Sequence, residues 1–70
     1  MNEHDFIARL MGHFEYKHLP EELQEISKPF GTLARKIKTK IYRNEMNVID
    51  ALIALDHLLK AKDAAVRGAL

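Results

Sequence analysis

The chain contains no cysteine and no tryptophan, only two prolines and three glycines, and no apolar run long enough to cross a bilayer. Each scarcity removes a class of protein. Without cysteine there is neither a disulfide framework nor a thiolate metal site, and the chain is compatible with a reducing compartment. Without a long apolar stretch no membrane-spanning helix is expected. The charged opening MNEHDFIARL lacks the apolar core of a secretory leader, so an intracellular location is expected. β-Branched residues are few and do not alternate with polar ones, which argues against strands. The four histidines, His4, His13, His18 and His57, show no HExxH or other tight ligand spacing, so no metal site is expected. Neither a nucleophile elbow nor a phosphate loop is present. No catalytic residue and no cofactor is assigned, and the chain reads as a binding protein.

What remains is a helix-forming chain of 70 residues with 47% hydrophobic and 30% charged side chains, a globular composition. A single domain of this size buries only roughly 60% of the surface that its unfolded chain exposes. Its core then supplies about 3–5 kcal/mol, and small domains usually add a staple. With disulfides and thiolate metals excluded, self-association or very good helix packing must serve.

The spacing predicts one all-α domain in four segments. An N-terminal helical segment spans 1–12, with Phe6, Ile7, Leu10 and Met11 on one face and Gly12 ending it. A connecting segment, 13–19, is rich in rings. A helix over 20–42 has Pro20 in its first turn, where a missing N–H costs nothing. Glu21 and Glu22 suit the positive end of its dipole. Pro29 is expected to kink or break this helix, with Ser27 capping a second part that starts near residue 28. From there Phe30, Leu33, Ala34, Ile37 and Ile41 recur at helical spacing. The last helix spans 45–70, with Asn44 and Asn47 as alternative N-caps. It and the 20–42 helix are expected to lie antiparallel. Asp56–Lys60 and Asp63–Arg67 are i, i+4 pairs in the favourable order.

The last helix carries two apolar seams. One is Val48, Leu52, Leu55, Leu59, Val66 and Leu70; the other is Ala51, Ala54, Leu58, Ala61 and Ala65. One partner helix covers only one seam, so the second needs another copy of the chain or the N-terminal helix. A homo-oligomer is the expectation, with a monomeric three-helix bundle as the alternative.

The net charge of +1 conceals a local imbalance. Residues 27–43 hold six Lys/Arg (Lys28, Arg35, Lys36, Lys38, Lys40, Arg43) and no acid. A localised basic block suits a localised anion better than a long nucleic acid, which demands more net positive charge. Lys28, Thr32 and Arg35 share one helical face near the expected start at residue 28, where unpaired N–H groups favour phosphate. Phe14 and Tyr16, just upstream, are candidates to stack on a base, a contact worth about 1–3 kcal/mol. The competing account is a solvated basic face beside aromatics that belong to the core.

The stretch HFEYKHLPEELQEISKPFGTLARKI, followed by a break and ALIALDHLLKAKDAAVR, resembles the bacteriophage anti-CBASS cyclic-oligonucleotide sponge family. The shared pattern is an aromatic-x-aromatic segment, then Leu19-Pro20, a helix from Ile26 to Leu33-Ala34, and an Ala/Leu helix ending near Arg67; it covers about residues 13–67. The resemblance implies a compact helical homohexamer in the cytoplasm of an infected bacterium. Such a protein sequesters cyclic di- and trinucleotide messengers without cleaving them, blocking activation of the CBASS effector. It further implies dinucleotide contacts at Tyr16, Lys28 and Thr32 in a site between protomers, and a trinucleotide contact at Arg67. Pro29 and the basic block at 35–43 depart from the family pattern. Two other readings stand beside it: a small helical DNA- or RNA-binding regulator using the 35–43 block, and an interaction module docking through its apolar seams.

Overall fold

The computed structural model describes residues 3–70, and Met1 and Asn2, which fall in the expected 1–12 segment, lie outside the described residues. Three helices follow in order: α1 (Glu3–Gly12), α2 (Glu21–Tyr42) and α3 (Val48–Gly68). The all-α expectation holds. At 1.5 Å per residue, α2 and α3 are each about 32 Å long, close to the molecule's longest dimension of 36 Å. Two helices of that length joined by a short connection must run side by side and antiparallel. The shorter α1 packs against both. Among the described residues, no helix is long and apolar enough to cross a membrane.

α2 is one unbroken helix through Pro29. Of the expected kink or break at Pro29, the break is overturned, and with it the cap at Ser27. Proline removes one backbone hydrogen bond, but the inward face continues across it. Leu23, Ser27, Gly31, Ala34 and Ile41 are all buried, and burying that face outweighs the one lost bond. Ser27 is fully buried and its Oγ has no hydrogen-bond partner. Pro20 stands at the N-cap, one residue before the first turn, and its carbonyl accepts from the amides of Leu23 and Gln24.

The two asparagines before α3 divide the work. Asn44 takes a left-handed conformation, with φ of 56°, and ends α2. The amide of Asn44 bonds the Ile41 carbonyl and that of Glu45 the Lys40 carbonyl, the paired pattern of a Schellman ending. Asn47 is the N-cap of α3, its side chain accepting from the Asp50 amide at 3.0 Å.

The core gathers Ile7, Leu10, Phe14, Ala34, Ile41, Ala51 and Leu55, with Phe30, Ile37, Val48, Leu58 and other half-buried neighbours around it. Both seams of α3 therefore enter the core of the single chain, one through Leu55 and the other through Ala51. Ala54 and Ala61 stay exposed. Leu33, expected on the inner face of α2, is 47% exposed. The Asp56–Lys60 pair forms at 2.9 Å. The expected Asp63–Arg67 pair is replaced, because Asp63 meets Lys62 at 2.7 Å.

Candidate functional site

The connection between α1 and α2 is tied down at both ends. After α1, the amides of His13, Phe14 and Glu15 bond the carbonyls of Leu10, Met11 and Gly12, a tightening turn at the helix end. Before α2, the Gln24 side-chain amide reaches back to the carbonyls of Leu19 at 2.8 Å and Lys17 at 3.4 Å. Between these ties the Phe14 ring enters the core and is 2% exposed. Gly31 lets the segment settle on α2: a Cβ there would stand 3.3 Å from the Phe14 carbonyl oxygen. Tyr16, two residues beyond the anchored Phe14, is left half-buried at the surface.

A recess of about 400 Å³ opens where this connection meets α1 and the second half of α2. Phe14, Glu15 and Tyr16 line it from the connection, and Arg35, Lys38 and Tyr42 from α2. The last three stand at i, i+3 and i+7, one stripe of the helix. Tyr42 is also stacked on His4 of α1, with ring centroids 5.1 Å apart and planes within 17°. Among the described residues the ion pairs are Lys40–Glu45, Lys60–Asp56 and Lys62–Asp63, so Arg35 and Lys38 face the recess without a carboxylate partner. A guanidinium offers five donors; one is spent on the Thr32 hydroxyl at 3.4 Å.

Arg35 also borders a shallower groove of about 410 Å³ lined by Thr32, Lys36, Thr39, Lys40, Arg43 and Glu45. The threonine hydroxyls there are engaged on their own helix. Thr32 donates to the Lys28 carbonyl at 3.2 Å and Thr39 to the Arg35 carbonyl at 3.0 Å.

On the opposite side of the Gly12–Glu15 turn lies a third recess, of about 380 Å³. It is lined by Arg67 and Lys62 of α3 with His13, Glu15 and His18 of the connection. His57 is exposed elsewhere on α3, so the histidines are spread over the molecule. Among the described residues no group of three or more His, Asp or Glu stands ready to hold a metal ion.

The expected site residues thus separate. Tyr16 and Arg35 share a recess. Phe14 is there too, but as a core residue whose ring is not open to a ligand, so its stacking role is corrected to an anchoring one. Thr32 adjoins Arg35 in the neighbouring groove. Lys28 is exposed and lines neither. The anion site expected at a helix start near residue 28 is also corrected. α2 begins at Glu21, so the amides around Lys28 are already within the helix. Arg67 stands apart in the third recess. Lys38 and Tyr42 line the recess as well, and sequence reasoning did not single them out. Extending the Arg35 stripe by three and seven positions would have found both. No family model, curated protein or solved structure matches this chain.

Proposed function

We propose that the protein binds cyclic di- and trinucleotides and sequesters them without turnover, as the resemblance to the phage sponge family implies. In that setting it acts in the cytoplasm of an infected bacterium and denies the messenger to the CBASS effector. The observation that carries this reading is the recess in which Tyr16, Arg35, Lys38 and Tyr42 meet. It offers aromatic surface for a base and two cations without carboxylate partners for phosphate. At about 400 Å³ it is at the small end of ligand sites, which span roughly 300–1,000 Å³. A two-fold pair of copies facing each other would supply each half of a cyclic dinucleotide with the same groups. Assembly into a homo-oligomer, a hexamer by the resemblance, belongs to the same proposal.

The test is a thermal shift. Ligand that binds only the folded state stabilises by RT ln(1 + [L]/Kd), about 2.7 kcal/mol at a hundredfold excess over Kd. In a domain of this size that raises Tm by more than about 10 °C. Cyclic dinucleotides at micromolar concentration should do this, linear dinucleotides should not, and mass spectrometry should recover the cyclic ligand intact. No shift with any cyclic di- or trinucleotide overturns the proposal.

A second reading has its own observation. Arg35, Lys36, Lys40 and Arg43 border one open groove, a footprint for a nucleic-acid backbone. It predicts retardation of duplex DNA or RNA, weakening steeply as salt rises.

A further inference from the structure

We infer that Tyr42, braced from behind by His4, is a second stacking wall of the nucleotide recess, and that Tyr16, Tyr42, Arg35 and Lys38 form one clamp for a base and its phosphate. This rests on the nucleotide-binding reading above and goes beyond it by assigning roles to Tyr42, Lys38 and His4.

Tyr42 is 47% exposed, so its ring is accessible from solvent. One side of that ring is covered by the near-parallel His4 imidazole. A ring held on one face by another ring keeps its orientation while its remaining surface borders the recess. That is the arrangement a base requires, since π surfaces prefer offset stacking at such separations. Holding the ring before the ligand arrives lowers the ordering cost of binding. The cations fall into place between the walls. Arg35 and Lys38 lie two turns and one turn before Tyr42 on the same stripe of α2, while Tyr16 lines the recess from the connection. Gly31 keeps the connection close to α2, because a Cβ there would stand 3.3 Å from the Phe14 carbonyl oxygen and the neighbour would have to give. Glu15 is the one carboxylate that lines the recess and repels a second phosphate from its side.

The experiment titrates 3′,3′-cyclic di-AMP and 3′,3′-cyclic di-GMP into the wild-type protein and into Tyr42→Ala, Tyr42→Phe and His4→Ala. Binding is measured by calorimetry, and fold by circular dichroism. Intermolecular NOEs are recorded from the base protons to the two tyrosine rings. With two tyrosines and no tryptophan in the chain, the ring resonances are simple to assign. The clamp predicts that Tyr42→Ala weakens binding about five- to 150-fold, the range set by one base–aromatic stack. Tyr42→Phe should bind within about twofold of wild type, His4→Ala should fall between them, and NOEs should connect base protons to Tyr42. Should the wild type bind while Tyr42→Ala, folded, binds equally well and no NOE reaches Tyr42, the clamp is refuted and the nucleotide-binding proposal survives. Should the wild type bind neither ligand, the clamp is refuted, and the nucleotide-binding proposal falls with it once the other cyclic di- and trinucleotides also give no thermal shift. If Tyr42→Ala fails to fold, the NOEs in wild type and the His4→Ala affinity decide.

Discussion

Replacing Phe14 separates packing from ligand contact at the position where the two accounts diverge most. Its ring is 2% exposed and belongs to the cluster with Ile7, Leu10, Ala34 and Leu55. Truncating a buried phenylalanine to alanine costs about 3–5 kcal/mol, combining lost transfer energy with the cavity left behind. A domain of this length holds about 3–5 kcal/mol in its core, so Phe14→Ala should stand near the midpoint of unfolding at 25 °C. Phe14→Leu removes little volume and should cost about 1 kcal/mol, a fall of about 4–8 °C in Tm. Urea titration followed by far-ultraviolet circular dichroism reads both. The informative comparison is ligand affinity in the folded Phe14→Leu variant. A leucine cannot stack on a base, so a stacking role predicts a loss of five- to 150-fold. An anchoring role predicts a change within about threefold. Reasoning from burial fails if Phe14→Ala loses less than about 1 kcal/mol, or if Phe14→Leu keeps its fold and loses its ligand.

Three further outcomes follow from the geometry. Asn47→Ala removes the acceptor of the Asp50 amide and should destabilise by about 1 kcal/mol in chemical denaturation; an unchanged midpoint would mean that the cap is dispensable. Ser27→Ala deletes a buried hydroxyl without a partner and replaces it with a better helix former. It should stabilise by roughly 0.5–1 kcal/mol, and a loss of stability would reveal that the hydroxyl is bonded in solution. Arg35→Gln removes an exposed cation without a carboxylate partner. It should leave Tm within about 3 °C, because such surface changes are within about 0.5 kcal/mol, while weakening cyclic dinucleotide binding tenfold or more, the value of a charge-assisted hydrogen bond.

Much of the helical framework is legible in the sequence because it obeys short-range rules. The run Phe30, Ala34, Ile37, Ile41 announces α2, the Asn47 cap announces α3, and Asp56 finds Lys60 four residues on. What escapes is decided by competition between rules. Pro29 signals a break, yet the apolar stripe passes through it from Leu23 to Ala34, and burial of that stripe keeps α2 whole. Moving the helix start from residue 28 to Glu21 then removes the reason for expecting an anion at Lys28. Asp63 had two cations within reach, and spacing alone favoured Arg67 over the adjacent Lys62. The site was half visible. Tyr16 and Arg35 stand out by their chemistry and do share a recess, but Lys38 and Tyr42 join them only because the connection folds back over the second half of α2. That closure depends on Gly31 meeting the Phe14 carbonyl, a contact between residues 17 positions apart that no local pattern encodes.

Isothermal titration of cyclic dinucleotide into the wild-type protein and into Tyr16→Ala tests the central claim most directly. The account predicts saturable binding by the wild type and a loss of at least fivefold in a variant with an unchanged helical spectrum. Absence of heat in the wild type, or equal affinity in the two proteins, would contradict it.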